Sequence, residues 1–185
     1  MESNFIKTYD NVLSKDQCQH LIDKFEDSRV QWQKTELKDH RSFTEININL
    51  HEDWKEYEKI VYTSLRPYID RYAERFKITH NWPEKFGWEQ IRFKKYEVND
   101  KDEFKEHVDV MDYASAKRFL VFFLYLNDNE GGLTSFPEYD TMIEPKAGKL
   151  LMFPPLWTHK HIGHKPLTKP KYIIGSYLHY TWTTE

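Results

Sequence analysis

Residues 119–126, Phe-Leu-Val-Phe-Phe-Leu-Tyr-Leu, are apolar on both of the faces that an extended chain presents. A strand without a polar face is central in its sheet and covered on both sides, so the fold must supply layers around it. Other short strand-like runs, separated by Gly, Pro and Asn-Asp punctuation, lie near 88–97, 104–110, 118–126, 133–136, 141–144, 149–153, 158–162 and 171–181. Before them the texture is mainly helical. Ser14 and Gln17 form a capping-box pair, and Cys18, Leu21, Ile22 and Phe25 follow at helical spacing, which predicts a helix over 15–28. Residues 42–50 alternate, with Ile46, Ile48 and Leu50 on the apolar side, as in a half-buried strand. A second helix is expected over roughly 52–77, kinked or split at Pro67. Helices first and about eight short strands after them argue an α+β fold. The expected architecture is a jelly roll, a cupin-like double-stranded β-helix, with the N-terminal helices packed on one sheet.

A chain of 185 residues suits one domain, with helical support over about 1–85 and the jelly-roll core over about 86–181. The charged fraction of 31% does not imply disorder, because 16% of the residues are aromatic and bury large areas each. The net charge of −3 gives no global attraction for nucleic acid. Cys18 is the only cysteine, which excludes an intrachain disulfide and a cysteine-based zinc knuckle; it is read as a small core residue. No apolar run approaches the ~20 residues that span a bilayer. The expectation is a cytoplasmic protein without membrane or nucleic-acid partners, a monomer or homodimer.

His107-Val108-Asp109 carries the chemistry. In a strand, residues i and i+2 share a face, so an imidazole and a carboxylate would stand side by side. A second histidine from a later strand would complete a two-histidine, one-carboxylate facial triad, with coordination positions left open. The tail offers His159, His161 and His164. In an extended segment His159 and His161 share a face and His164 does not, and spacing does not choose between the first two. Lys171 heads an otherwise apolar strand, where an ammonium is costly to desolvate without an anion. No acidic partner lies near it in sequence, and the carboxylate of a co-substrate would supply one. The segment 99–106 and the connection 111–117 are candidate flaps.

Five segments, in order, resemble the iron(II)- and 2-oxoglutarate-dependent dioxygenases, and among them the prolyl 4-hydroxylase branch. They are Val12 to Ile22; Tyr96-Glu97 with Phe104 and His107-Val108-Asp109; Tyr125-Leu126-Asn127 with Glu130 to Pro137; Pro145 to Phe153; and His161-Ile162-Gly163 with Pro166 and Lys171. The resemblance implies that His107, Asp109 and His161 hold Fe(II). It implies that Lys171, helped by the Tyr96 hydroxyl, binds the distal carboxylate of 2-oxoglutarate, and that Arg118, Tyr177 and His179 lie on the substrate side. Co-substrates would be 2-oxoglutarate and O2, with ascorbate as a reductant, and the partner a peptide or protein containing proline. Three departures stand out. The step from Tyr96 to His107 is two residues longer than in the branch, Val121 stands where a threonine is common, and Tyr177 replaces a tryptophan. Base-repair relatives use arginines after the last histidine, and no arginine follows Arg118 here. The alternatives are the same chemistry on a free amino acid or other small molecule, and a non-catalytic jelly-roll binding module.

Overall fold

The computed structural model describes residues 5–181. Its central strand, Arg118–Tyr125 (β7), lies antiparallel between Lys149–Phe153 (β10) and Lys171–Tyr180 (β12). Its two faces serve two separate cores. Leu120, Phe122 and Leu124 join a cluster that includes Leu21, Phe25, Val61, Leu65 and Ile69 from the helices. Val121 and Tyr125 join an interior cluster with Phe43, Tyr96, Phe136, Leu151, Phe153 and Ile173. From β12 the sheet continues through Arg92–Tyr96 (β5) to Arg41–Asn47 (β3). It then curls through a single register pair, Arg41 opposite Phe104, into Phe104–His107 (β6), His161–Gly163 (β11), Thr134–Phe136 (β8) and Thr141–Ile143 (β9). This curl faces β11 and β8 toward β7 and β10, and Phe136 and Phe153 meet edge-on with centroids 4.7 Å apart. The edges carry Lys7–Tyr9 (β1) on β10, Gln33–Leu37 (β2) on β3 and Phe86–Trp88 (β4) on β12.

The first helix, Lys15–Asp27 (α1), is capped as its sequence requires. The Gln17 N–H donates to Ser14 Oγ at 3.1 Å and the Ser14 N–H to Gln17 Oε1 at 2.9 Å. Its apolar stripe ends in Phe25, which stacks on Phe93 of β5 at 4.5 Å. The second helix, Lys55–Arg75 (α2), is not split at Pro67. Proline deprives the carbonyl four residues earlier of its donor. That residue, Thr63, is exposed, as is Pro67, so water can take the freed carbonyl. Among the described residues no helix is long and apolar enough to cross a membrane.

Several boundaries differ from expectation. The strand expected over 42–50 ends at Asn47, and Leu50, expected on its apolar face, is 62% exposed. Phe43, which the alternation sets on the side away from Ile46, is buried in the interior, so β3 is covered on both faces. The run 88–97 is two strands, β4 and β5, paired with opposite ends of β12. Strand β6 stops at His107, short of 110, and Trp157–His159 is a 3-10 turn in place of strand. Strand β2 was not anticipated: it is an exposed edge without an apolar period.

The segment 99–106 is tied down, and residues 99–103 do not line the groove described below. Asp102, 1% exposed, accepts from Lys34 Nζ at 2.8 Å, Ser42 Oγ at 2.7 Å and the Glu97 N–H at 2.9 Å. Burial pushes its carboxyl up, but these hydrogen bonds outweigh it and hold the group below the usual carboxylate value. Asp102→Ala should lower stability by about 2 kcal/mol near neutral pH, chiefly by orphaning buried donors; the half-exposed Lys34 adds little. Because the folded value is depressed, the contribution is present above the unfolded pKa of ~3.9 and fades as pH falls through the folded value. Urea unfolding of both proteins should therefore show a gap at pH 7 that shrinks below about pH 4. A gap that stays constant would sink this account.

Candidate metal and co-substrate site

Strand register brings the two imidazoles together. In the antiparallel pair β6–β11, His161 lies directly opposite His107, and the ring centroids are 4.2 Å apart. Asp109 sits in a bend just past the end of β6, so strand parity does not place it. Its N–H donates to the Pro155 carbonyl at 3.2 Å, and its own carbonyl accepts from Arg118 Nη1 at 2.8 Å. One ligand atom from each of His107, Asp109 and His161 can be chosen so that all lie within 4.8 Å of one another.

The tautomers follow from the partners. His107 Nδ1 lies 2.6 Å from the Lys105 carbonyl and His161 Nδ1 lies 3.1 Å from the His159 carbonyl. A carbonyl only accepts, so each Nδ1 carries the proton and each Nε2 offers a lone pair inward. Burial, then the neighbouring His161, pushes His107 down to about 2, so its imidazole stays neutral. The Tyr177 hydroxyl donates to Asp109 Oδ1 at 2.6 Å. Burial, then the Asp109 charge, raises the Tyr177 phenol well above its ordinary value, so it keeps its proton. What remains is an inward pair, Asp109 Oδ2 and His161 Nε2, 3.6 Å apart, both buried and both without a hydrogen-bond partner. Orphaned acceptors of this kind are costly in a dry interior, and a divalent cation would satisfy both. The donor set fits Fe(II).

His159 and His164 stand outside this cluster. His159 is buried near the Tyr139 ring at 5.2 Å, with Nδ1 against Thr158 Oγ1 at 2.8 Å. His164 Nε2 meets Ser135 Oγ at 2.7 Å. His159 and His161 do not share a strand face, because the strand begins only at His161.

Beyond the triad a cavity runs between the layers to Lys171, lined by Tyr96, Phe104, Phe123, Tyr125, Thr134 and Ile173 among others. Lys171 is 2% exposed, and its Nζ donates to the carbonyls of Gly132 at 3.1 Å and His164 at 3.0 Å. It lies 4.3 Å from the centroid of the Tyr96 ring, its register partner on β5. No described carboxylate pairs with it. A Cβ on Gly132 would come within 2.9 Å of Lys171 Cδ, so the glycine makes room for the side chain. Burial, then Lys94, pushes the Lys171 ammonium down to about 7. Sequence reasoning did not single out the cavity roles of Tyr125 and Thr134. The Tyr125 hydroxyl donates to Thr134 Oγ1 at 2.6 Å, which leaves the threonine's own proton free to donate into the cavity. Thr134 thus supplies, from β8, a hydroxyl that Val121 on β7 lacks.

The triad opens on its other side into a groove of about 690 Å³ that includes Arg118, Tyr177 and His179. Arg118 is held by Glu89 through two parallel bonds, Nε to Oε1 at 2.9 Å and Nη2 to Oε2 at 2.8 Å, and its guanidinium lies 3.9 Å from the Tyr177 ring centroid. His179 Nδ1 donates to the Tyr180 carbonyl at 2.9 Å. Met111, Asp112, Ala114, Ser115 and Lys117 form one rim, so the 111–117 connection does border the groove.

Comparison with known proteins agrees with this geometry. Residues 91–179 match the family model of the 2OG-Fe(II) oxygenase superfamily. No curated protein sequence matches the chain. Among solved structures, the viral collagen prolyl hydroxylase of Paramecium bursaria Chlorella virus-1, in its 2OG complex, is similar at a TM-score of 0.69 and 19% identity, covering 96% of this chain and 97% of that one. A Pseudomonas putida prolyl-4-hydroxylase gives 0.68 and 15%, over 97% and 95%. A Trichoplax adhaerens prolyl hydroxylase, in complex with a hypoxia inducible factor oxygen degradation domain peptide fragment, gives 0.72 and 15%, over 96% and 84%. At these identities the structural likeness is one of fold. The chain resembles the iron(II)- and 2-oxoglutarate-dependent dioxygenases, a family whose cofactor is Fe(II) and whose co-substrates are 2-oxoglutarate and O2.

Lys171, buried without an acidic partner among the described residues, has a thermodynamic signature. Its folded pKa of about 7 lies below the unfolded value of ~10.4, so between the two the unfolded chain holds a proton that the folded one does not. Stability of the metal-free protein without 2-oxoglutarate should therefore rise with pH across that window. Lys171→Met should flatten the rise in urea unfolding; a mutant profile parallel to the parent's would refute the assignment.

Proposed function

We propose that the chain is an iron(II)- and 2-oxoglutarate-dependent oxygenase that hydroxylates a prolyl residue in a peptide or protein. The observation that carries the oxygenase reading is one cavity with unsatisfied opposite ends. Orphaned ligand atoms sit at one end and a buried ammonium without an anion at the other. A short dicarboxylic acid with a 2-oxo group fits both requirements at once. Bound iron(II) would supply the oxygen activation that couples oxidation of 2-oxoglutarate to succinate and CO2 with insertion of one oxygen atom into a substrate C–H bond.

The chain's own residues would position and insulate that chemistry. The Lys105 and His159 carbonyls fix the imidazole tautomers, as outer-shell acceptors do in metal sites. Tyr177 holds the Asp109 carboxylate with Oδ2 forward. Lys171, with the Thr134 hydroxyl and the Tyr96 side of the cavity, would receive the distal carboxylate as a point charge. Phe104, Phe123 and Ile173 keep water from the space between. The prolyl assignment is supported by the fold shared with prolyl hydroxylases and by an open groove beside the triad.

Iron-loaded protein should convert 2-oxoglutarate to succinate in the presence of a proline-containing peptide, and His107→Ala should abolish that turnover. Iron content should fall to background in His161→Ala and persist in His159→Ala; the reverse pattern would reassign the third ligand. Tyr177→Phe should weaken iron binding by about 10–100-fold, the usual cost of losing an outer-shell partner. Unchanged iron affinity would free Tyr177 for a different role.

A further inference from the structure

Arg41, Arg92 and Lys94 form a cluster that the oxygenase reading does not use. Strands β3 and β5 pair with Glu45 opposite Lys94 and Asn47 opposite Arg92. Alternation sets Arg41, Phe43 and Glu45 on one face of β3, and Arg92, Lys94 and Tyr96 on the matching face of β5. Phe43 and Tyr96 belong to the interior cluster, so this face looks inward. All three cations line the groove together with His107 and Asp109, and Lys94 also borders the cavity that holds Lys171.

None of the three forms an ion pair among the described residues. Lys94 Nζ rests 4.7 Å from the Phe43 ring centroid, and the Arg41 guanidinium 5.4 Å from that of Phe104. Arg41 Nε is buried without a hydrogen-bond partner. Glu45, opposite Lys94 in register, accepts from Thr35 Oγ1 at 3.0 Å and acts on Lys94 as a nearby charge without closing an ion pair, so it offsets one of the three cations at most. The groove's own acids are engaged elsewhere: Glu89 by Arg118, Asp112 by Ser115, and Asp109 in the triad. On the opposite face of β5 the habit differs, since Lys95 is paired with both Glu26 at 2.8 Å and Glu97 at 2.7 Å.

The co-substrate does not neutralise this cluster. Iron(II) and Lys171 together balance Asp109 and the two carboxylates of 2-oxoglutarate. The positive charge left on Arg41, Arg92 and Lys94 faces the space where the substrate must lie. We propose that the groove selects an acidic peptide, whose Asp or Glu carboxylates beside the target residue dock on Arg41, Arg92 and Lys94. The proposal rests on the oxygenase reading and names the substrate class for the same site. A groove of about 690 Å³ is far larger than a free amino acid needs, which favours a peptide as the source of the carboxylate.

The test uses three labelled proline-containing peptides that differ only in flanking residues: acidic, serine or lysine. Each is titrated into protein loaded with manganese(II) and 2-oxoglutarate, and binding is read by fluorescence anisotropy without turnover. The acidic peptide should bind about tenfold tighter than the serine peptide and lose that margin as salt rises. Lys94→Glu should invert the preference toward the lysine peptide, and Arg92→Gln should reduce it, with thermal unfolding checking that each variant folds. Equal affinity for all three peptides, in protein that binds metal and 2-oxoglutarate, overturns this proposal and leaves the oxygenase reading intact. Failure to bind metal and 2-oxoglutarate overturns both. Displacement of the acidic peptide by free aspartate or glutamate at comparable concentration overturns the peptide assignment.

Discussion

Burial of β7 on both faces is the constraint from which the arrangement follows. Its edges are hydrogen-bonded to β10 and β12, and its two faces pack into two separate clusters, so neither face meets water. The outer face packs with residues of both helices into a core that contains Trp54, Leu65, Phe25 and Phe93. The inner face is then free to line a space that need not be filled by aliphatic side chains alone. A sheet that curled over an interior without outer support would have to gain its stability from that interior. Here the outer cluster supplies the packing, and the inner one tolerates an ammonium, two imidazoles and a carboxylate.

Those interior polar groups are each held by something that cannot compete with a ligand. Backbone carbonyls take the Nδ1 protons of His107 and His161 and two protons of Lys171. Each contact fixes a direction and leaves the imidazoles their Nε2 lone pairs and Lys171 one further proton to offer. Buried polar atoms without partners are costly, and they persist where the rest of the fold over-determines their position. The same principle separates Lys171 from Lys95. Both are buried on neighbouring strands, yet Lys95 is neutralised by two glutamates and Lys171 by none.

How far the sequence could be read depended on whether a residue's surroundings were local. The capping box of α1, the two-sided strand β7 and the bounds of β10 are properties of short segments, and they read directly. His161 could not be chosen over His159 by parity, because a 3-10 turn ends between them and only the backbone reveals it. Lys94 escaped notice for a related reason. Lys94-Lys95 looks like a solvated pair beside the apolar Phe93, but β5 is covered on both faces, so alternation separates two interiors rather than inside from outside. Asp102 was hidden in a charged run because its three partners lie on other segments.

Tyr177 shows how one departure from a familiar pattern can be absorbed. A tryptophan at this place would offer the triad only a ring N–H. The tyrosine reaches Asp109 Oδ1 with a hydroxyl that burial and the adjacent carboxylate keep protonated. With Oδ1 engaged by the Tyr177 hydroxyl, Asp109 would offer a metal its Oδ2. A carboxylate free to bind through both oxygens would occupy a coordination position that a two-oxygen co-substrate needs. Arg118 secures the arrangement from behind: it stacks on the Tyr177 ring, bonds the Asp109 carbonyl and is itself gripped by Glu89. The residues expected on the substrate side thus form a brace behind Asp109.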